Sequence, residues 1–462
     1  MRTIHQMPMP LAFLAGLSVN VAVAATVETP RMFSIAAEPG SVCEIFAPDG
    51  SNKGRPLTVF ADASGHVRLN VANAATAAPG AALSATCRNP AGLRKTSSLA
   101  LDRAIILPER RATPRLAQLV ARGTMGVLSP MRLDVAKAAA ADLLKYGYPT
   151  RPDPVKSPKA YKLWLYAVTT PGVYVQALPL RRPGIVHGPL NLHQVSSGPV
   201  LSVEQARTAM LQSGPVIRHG AAGGGTTSFS TTQNWSGYVA TTGLTQYNWV
   251  SGGWVVSGAL PAPNQVGTDY SSEWVGLDGY GTNDVIQAGT ESDVMRIPTW
   301  GHLATISSNY AWYEYYPDFE IAVPGLGVLP GDSIWVYAFV DTAPDGHTRG
   351  NFLLLNNTTN HVAATSEEIP SGTTSPLNSA EWILERTQID GTYPALADYG
   401  TAQMSETFYG GAMGSGSIGF SSEPRLMQQV AMTRDGSSKT TLLSFAHAHG
   451  SEAVDFVWEA PQ

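Results

Sequence analysis

Cysteine is scarce in this chain: Cys43 and Cys87 lie in the first hundred of 462 residues, and none follows. A cysteine nucleophile is therefore excluded from everything after residue 87, and the stability of that long stretch has to come from packing. In an exported chain the two thiols can close one disulfide, which for a loop of this size stabilises by roughly 4 kcal/mol in the chain-entropy account. Two separate buried thiols are the alternative. Long apolar runs are equally rare. One, LAFLAGLSVNVAVA, falls within residues 1–25, after Arg2 and around Ala22 and Ala24 at A-x-A spacing, which is the pattern of a cleaved secretory signal. It is shorter than the roughly 20 residues that a membrane span needs. The mature chain is thus expected to be secreted, extracellular or periplasmic, with no membrane segment.

Several hydrolase signatures are missing too. There is no G-x-S-x-G elbow, no H-E-x-x-H and no D-T-G or D-S-G pair. His447 and His449 alternate in a strand-like run without a carboxylate set beside them, so a structural pair is the ordinary reading and no metal or other cofactor is expected.

Basic residues nearly vanish from the second half. Residues 221–462 hold 24 Asp and Glu against 6 Lys and Arg, a formal −18, whereas residues 1–220 hold 24 basic and 11 acidic residues, a formal +13. Such a split suggests two parts that attract each other and separate when carboxylates protonate. Independent solubility of each half is the plainer reading. Nucleic acid is not an expected partner, because the cations come with no binding motif.

The length calls for two or three units. After the signal, residues 26–103 alternate in CEIFA, LTVFA and HVRLNV between turn clusters and suggest a small β-rich domain. Residues 104–225 form a basic region of mixed α/β character. It has a helix after Pro130 ended by Gly147, extended runs at LWLYAV and GVYVQAL, a capping box at Ser202 and Gln205, and a Gly-rich linker, HGAAGGGTTSFSTTQ. From 226 to 462 short aromatic and β-branched runs recur between Gly, Pro, Asn and Asp clusters, the texture of an all-β antiparallel sandwich.

Two stretches of this last unit carry the chemistry. WVGLDGYGTNDVIQAG, 274–289, reads as two extended segments around a tight loop, with Gln287 in the second. In SAEWILER, 379–386, Glu381, Ile383 and Glu385 alternate with Trp382, Leu384 and Arg386, which sets a carboxylate among apolar neighbours. Gln287 and Glu381 are expected to face each other.

Together with NWSGYV at 234–239, YAWYEYYPD at 310–318, GDSIWV at 331–336 and ADYGT at 397–401, these stretches resemble the glutamic peptidases, or eqolisins, in order and spacing. The resemblance implies a concanavalin A-like sandwich of two large sheets with a groove on one concave face. It also implies metal-free hydrolysis of polypeptide substrates at acid pH by a Glu and a Gln. By motif these are Glu381 and Gln287, with Trp235, Trp274, Asp278, Glu314 and Trp382 contacting substrate or supporting the pair. One departure is Tyr310, ahead of AWYE, where members commonly carry Asp. The segment around LLKYGYPTRPDP and SPKAYKLWLYAV resembles the pro-regions of bacterial members, which implies a zymogen whose basic pro-region is its own partner, shed near the linker. A monomer is expected. A carbohydrate-binding or glycan-cleaving sandwich, with Glu314 and Glu381 as its paired carboxylates, is the alternative.

Overall fold

The computed structural model describes residues 31–47, 56–72, 82–100, 105–106, scattered positions from 134 to 155, 158–169, 173–190, 198–199 and, apart from a few short loops, 226–459. The expected signal, most of the helix after Pro130, the Ser202 helix and the first part of the linker, 219–225, lie outside these residues, whereas the rest of the expected linker is not a loop, because Thr226–Thr232 form a strand.

Six strands make up the N-terminal part: β1 (Arg31–Ala36), β2 (Val42–Phe46), β3 (Leu57–Phe60), β4 (His66–Ala72), β5 (Ala82–Arg88) and β6 (Arg94–Ala100). Strands β3, β2, β5 and β6 form one sheet, within which Cys43 on β2 stands opposite Cys87 on β5 and is joined to it as a disulfide. Strand β4 leaves that sheet to pair with β1.

One expectation fails in the basic region. LWLYAV is not extended but part of helix α1 (Pro158–Thr169). Tyr161, Trp164, Leu165 and Val168 recur at helical spacing, Pro158 opens the helix at a position that tolerates it, and Pro171 follows its end. That stripe packs against Trp249, Trp335, Tyr337 and Phe339 on the outer face of a sheet described next, and Trp164 is fully buried there.

The acidic half is built from β7 (Thr226–Thr232), β8 (Trp235–Thr241), β9 (Tyr247–Val255), β10 (Thr268–Leu277), β11 (Val285–Thr299), β12 (His302–Tyr316), β13 (Ser333–Thr342), β14 (Thr348–Asn356), β15 (His361–Glu368), β16 (Ser379–Glu385), β17 (Thr401–Gly411), β18 (Leu426–Thr433), β19 (Leu442–His449) and β20 (Ala453–Trp458). Their ladders run β12–β11–β10–β16–β8–β18 in one layer and β20–β17–β9–β13–β14–β15 in the other, with β19 bridging β18 and β20. Every one of these ladders is antiparallel; β7, beside β18, is paired with it in parallel. Period-two alternation sends Val275, Leu277, Ile286, Tyr313, Trp382 and Leu384 inward, where they meet Val250, Val336 and Leu354 of the second layer in one core. The other face of the first layer therefore carries Gln287, Glu381 and Glu385. It does not face water, because β4 extends this layer by pairing with β12, and residues 180–190 cross over it.

Candidate active site

Antiparallel register lines residues up across a sheet, and directly opposite residues share a face. Gly276 on β10 stands opposite Gln287 on one side and Glu381 on the other; Gln287 in turn stands opposite Glu314, and Glu381 opposite Val239. The row Glu314, Gln287, Gly276, Glu381 thus crosses four strands. Gln287 and Glu381 are two strand spacings apart, roughly 10 Å at the backbone, and the residue between them has no side chain. A Cβ at Gly276 would lie 3.2 Å from Gln287 Cβ and 2.9 Å from the Trp274 ring, so only glycine keeps this space open. Gln287 Oε1 is buried without a hydrogen-bond partner among the described residues, and the two buried carboxylate oxygens of Glu381 have no well-aligned one, only the Ser379 hydroxyl near enough to favour the ionised form.

Residues 185–190, IVHGPL, lie across this row as an extended segment. Ile185 and Val186 pair with Ile389 and Gln388, and Leu190 N–H donates to Gly279 O at 2.8 Å. Between these ends the Gln287 amide donates to the His187 carbonyl at 2.6 Å, and Asn234 Nδ2 donates to Gly188 O at 3.2 Å. The His187 N–H lies 3.2 and 3.1 Å from the two oxygens of Glu314. The His187 ring stacks on Trp312 with centroids 3.8 Å apart, while its Nδ1 meets Glu385 at 3.2 Å and its Nε2 meets Glu320 at 3.0 Å.

Burial alone would lower the pKa of His187; the Glu320 and Glu385 carboxylates bonded to its ring, with the charges of Glu385 and Glu291, outweigh burial and hold it well above its ordinary value. Nε2 of His187 and oxygens of Glu291 and Glu320 lie within 4.8 Å of one another, the only such group of metal-binding type among the described residues. Because both ring nitrogens face carboxylates, the ring is an imidazolium with two donors, and a metal would need one nitrogen deprotonated. A second cation, Arg182, is enclosed between the Phe60 and Tyr310 rings at 5.0 and 5.1 Å. Burial opposes its charge, and Tyr310, Glu320 and Asp293 favour it. Tyr310, ahead of AWYE, thus helps to hold a cation of the basic region. Burial pushes the Glu381 and Glu314 carboxyls well above the usual carboxylate range, and Asp293 up to about 7.

The remaining residues expected from sequence divide three ways. Trp274 Nε1 donates to Glu385 at 2.8 Å, and its ring meets Trp235 edge-on at 5.0 Å, so both line the groove face. Asp278 makes its hydrogen bonds away from the row, though its charge is among those that disfavour ionised Glu381: at the end of β10, with φ 66°, it accepts from Ser375 Oγ at 2.6 Å and from Leu377 and Asn378 N–H at 2.9 Å, anchoring the loop that leads to β16. Burial raises its pKa to about 6. Trp382 is a correction, because strand parity turns it into the inter-sheet core, where Nε1 donates to Ser251 O at 2.8 Å, away from the groove. Glu314 and Glu381 stand three strands apart, roughly 14 Å at the backbone, against the roughly 5–9.5 Å between carboxyls that glycosidases use. His447 is exposed, opposite Asp455 in the ladder.

His187, Glu320, Glu291, Gly276 and Asn234 were not singled out from the sequence. Two of them sit inside quoted motifs, WVGLDG and NWSGYV, while the only local hint of His187 is an extended IVHGP following RRPG.

Residues 233–451 match the Peptidase A4 family. Among solved structures the chain is similar to scytalido-glutamic peptidase with a transition state analog inhibitor, at 19% identity and TM-score 0.38, over 49% of this chain and 98% of that one. It is similar also to SCP-B, a member of the eqolisin family in a complex with the tripeptide Ala-Ile-His, at 18% identity and TM-score 0.34, over 49% and 98%. A third is the aspergilloglutamic peptidase from Aspergillus niger, at 21% identity and TM-score 0.31, over 41% and 99%. No curated protein matches the chain.

Proposed function

Given that residues 233–451 belong to the Peptidase A4 family, the glutamic peptidases, we propose that this chain is an exported, acid-acting zymogen that hydrolyses polypeptides with Glu381 and Gln287. The observation that carries the reading is the Gln287 amide bonded to a main-chain carbonyl in a groove that already grips an extended peptide. The same row brings Glu381 to the other side of the Gly276 opening.

The three buried acceptor atoms on either side of that opening suit a water, which would give one hydrogen bond to Glu381 and one to Gln287 Oε1. Ionised Glu381 takes a proton as the water attacks the peptide carbonyl. The Gln287 Nε2–H stays on the carbonyl oxygen as it gains charge, a stabilisation typically worth about 3 kcal/mol per donor. Glu381 then returns the proton to the departing nitrogen. A neutral amide in the row leaves Glu381 free to ionise, whereas a second carboxylate would force a shared proton.

Latency follows from the same contacts. Residues 185–190 cover the row and occupy the Gln287 amide, so no other polypeptide reaches the pair while they are seated. The basic region meets the acidic groove through Arg182 and His187, in line with the +13 and −18 split. Export is supported by the pattern of residues 1–25 and by the Cys43–Cys87 disulfide. The test is Gln287→Ala: digestion of an unfolded protein at acid pH should fall by about 10²–10³-fold. Undiminished digestion by that variant would sink the proposal.

A further inference from the structure

The segment over the groove has one carbonyl on the Gln287 amide, that of His187, at 2.6 Å. We propose that the His187–Gly188 peptide bond is the chain's own first substrate, cut in cis by Gln287 and Glu381; this rests on the peptidase reading above and adds which bond is broken.

Four further features fit this bond. The main chain is held on both sides of it: Val186 pairs with Gln388 and His187 N–H reaches Glu314 before it, while Gly188 O takes the Asn234 amide and Leu190 N–H bonds Gly279 O after it. Reacting groups held in this way need little further ordering. The departing nitrogen belongs to Gly188, an ordinary secondary amide, whereas the next bond ends on Pro189. The residue before the cut has a made-to-measure niche, an imidazolium stacked on Trp312 between Glu320 and Glu385. Finally, the carbonyl lies beside the Gly276 opening, which Glu381 borders from the far side.

The step is a hydrolysis that consumes one water. The water oxygen bonds to the His187 carbonyl carbon and its proton passes to Glu381. The carbon–nitrogen bond to Gly188 breaks, and Glu381 delivers the proton to the Gly188 amine. The products are a fragment ending in the His187 carboxyl and a chain beginning at Gly188. A new carboxyl beside Glu314 and Glu381 weakens the hold on the fragment and favours its departure.

The test takes the full chain, purified at neutral pH and shifted to about pH 3.5, near the ordinary carboxylate values. Products are followed by intact mass and N-terminal sequencing, at several protein concentrations and with an unfolded protein added in parallel. The expected products are a fragment ending at His187 and a new N-terminus at Gly188, formed at a rate independent of concentration and slowed about 10²–10³-fold in Gln287→Ala. A synthetic peptide spanning Pro183 to Leu190, added to the processed enzyme, should be cut at the same bond. Self-processing that yields only other termini, such as one in the 215–225 linker, with the peptide left intact, overturns this inference while the peptidase reading stands. Failure to digest the added protein as well overturns both.

Discussion

Gly276→Ala tests the idea that the space between Gln287 and Glu381 is what the site is built around. The new methyl would lie 2.9 Å from Trp274 Cζ3, 3.2 Å from Gln287 Cβ and 3.3 Å from Ile286 O. Ordinary carbon contacts begin near 3.5 Å, so something must yield by about half an ångström. The Trp274 ring is fixed by its bond to Glu385 and its contact with Trp235, and Ile286 O belongs to the ladder, so Gln287 is the group that gives. Overpacking of this kind costs about 1–3 kcal/mol, while Gly to Ala in a strand returns about 0.5–1 kcal/mol of chain entropy. The net loss is therefore about 0–2.5 kcal/mol, a fall in Tm of at most about 10 °C. Activity should suffer more, because displacing a positioned group by a fraction of an ångström, and occupying the water's place, removes about 10–100-fold of kcat/KM. The assay is digestion of an unfolded protein by acid-processed enzyme, beside thermal unfolding. Gly258→Ala is the control, since a Cβ there meets nothing within 4 Å. A Gly276→Ala enzyme with kcat/KM within twofold of the parent would refute the reasoning.

Other outcomes follow from the contacts. His187→Ala leaves Glu320 and Glu385 buried without their cation whenever the segment is seated, a loss of about 3–5 kcal/mol; progress curves at acid pH should start with a lag in the parent chain and without one in the variant. The seated His187 faces Glu314, Glu320, Glu385 and Glu291, with Asp293 and Arg182 beyond them, and its pKa is raised above 6.5. Its contribution to seating is therefore complete below about pH 6.5 and lost as pH rises through the raised value. In the uncleavable Glu381→Gln chain, the Leu190 amide should be better protected from hydrogen exchange at pH 6 than at pH 9, after correction for intrinsic rates; equal protection would contradict this. Asp278→Asn removes at least one of three accepted bonds while tolerating the positive φ, and should lower stability by about 1–3 kcal/mol in thermal unfolding, with kcat less affected than Tm.

How far the sequence carries depends on how local each signal is. AEWILER shows its strand and both faces by parity, which puts Glu381 and Glu385 together and, read strictly, already turns Trp382 the other way into the core. The Asp278 to Asp284 loop is equally legible, because its turn residues include Gly279 and Gly281, both at positive φ. LWLYAV reads as extended on its own because so short an apolar run shows no period until Tyr161, which precedes it, is set beside Trp164, Leu165 and Val168. His187 was out of reach for a different reason. Its partners lie 100 residues away at Gln287 and 198 at Glu385, and nothing in IVHGP itself distinguishes a segment that seats in a groove from a loop. Among the described residues the charge split takes the form of Arg182 and His187 set among buried carboxylates, an arrangement that no local stretch of sequence displays.

The most direct measurement compares the parent chain with Glu381→Ala through a step from neutral pH to about pH 3.5, following intact mass and digestion of an unfolded protein. The account expects the parent to trim itself and digest the substrate, and the variant to do neither. A variant that trims and digests like the parent would show that Glu381 is not the base and would contradict the central claim.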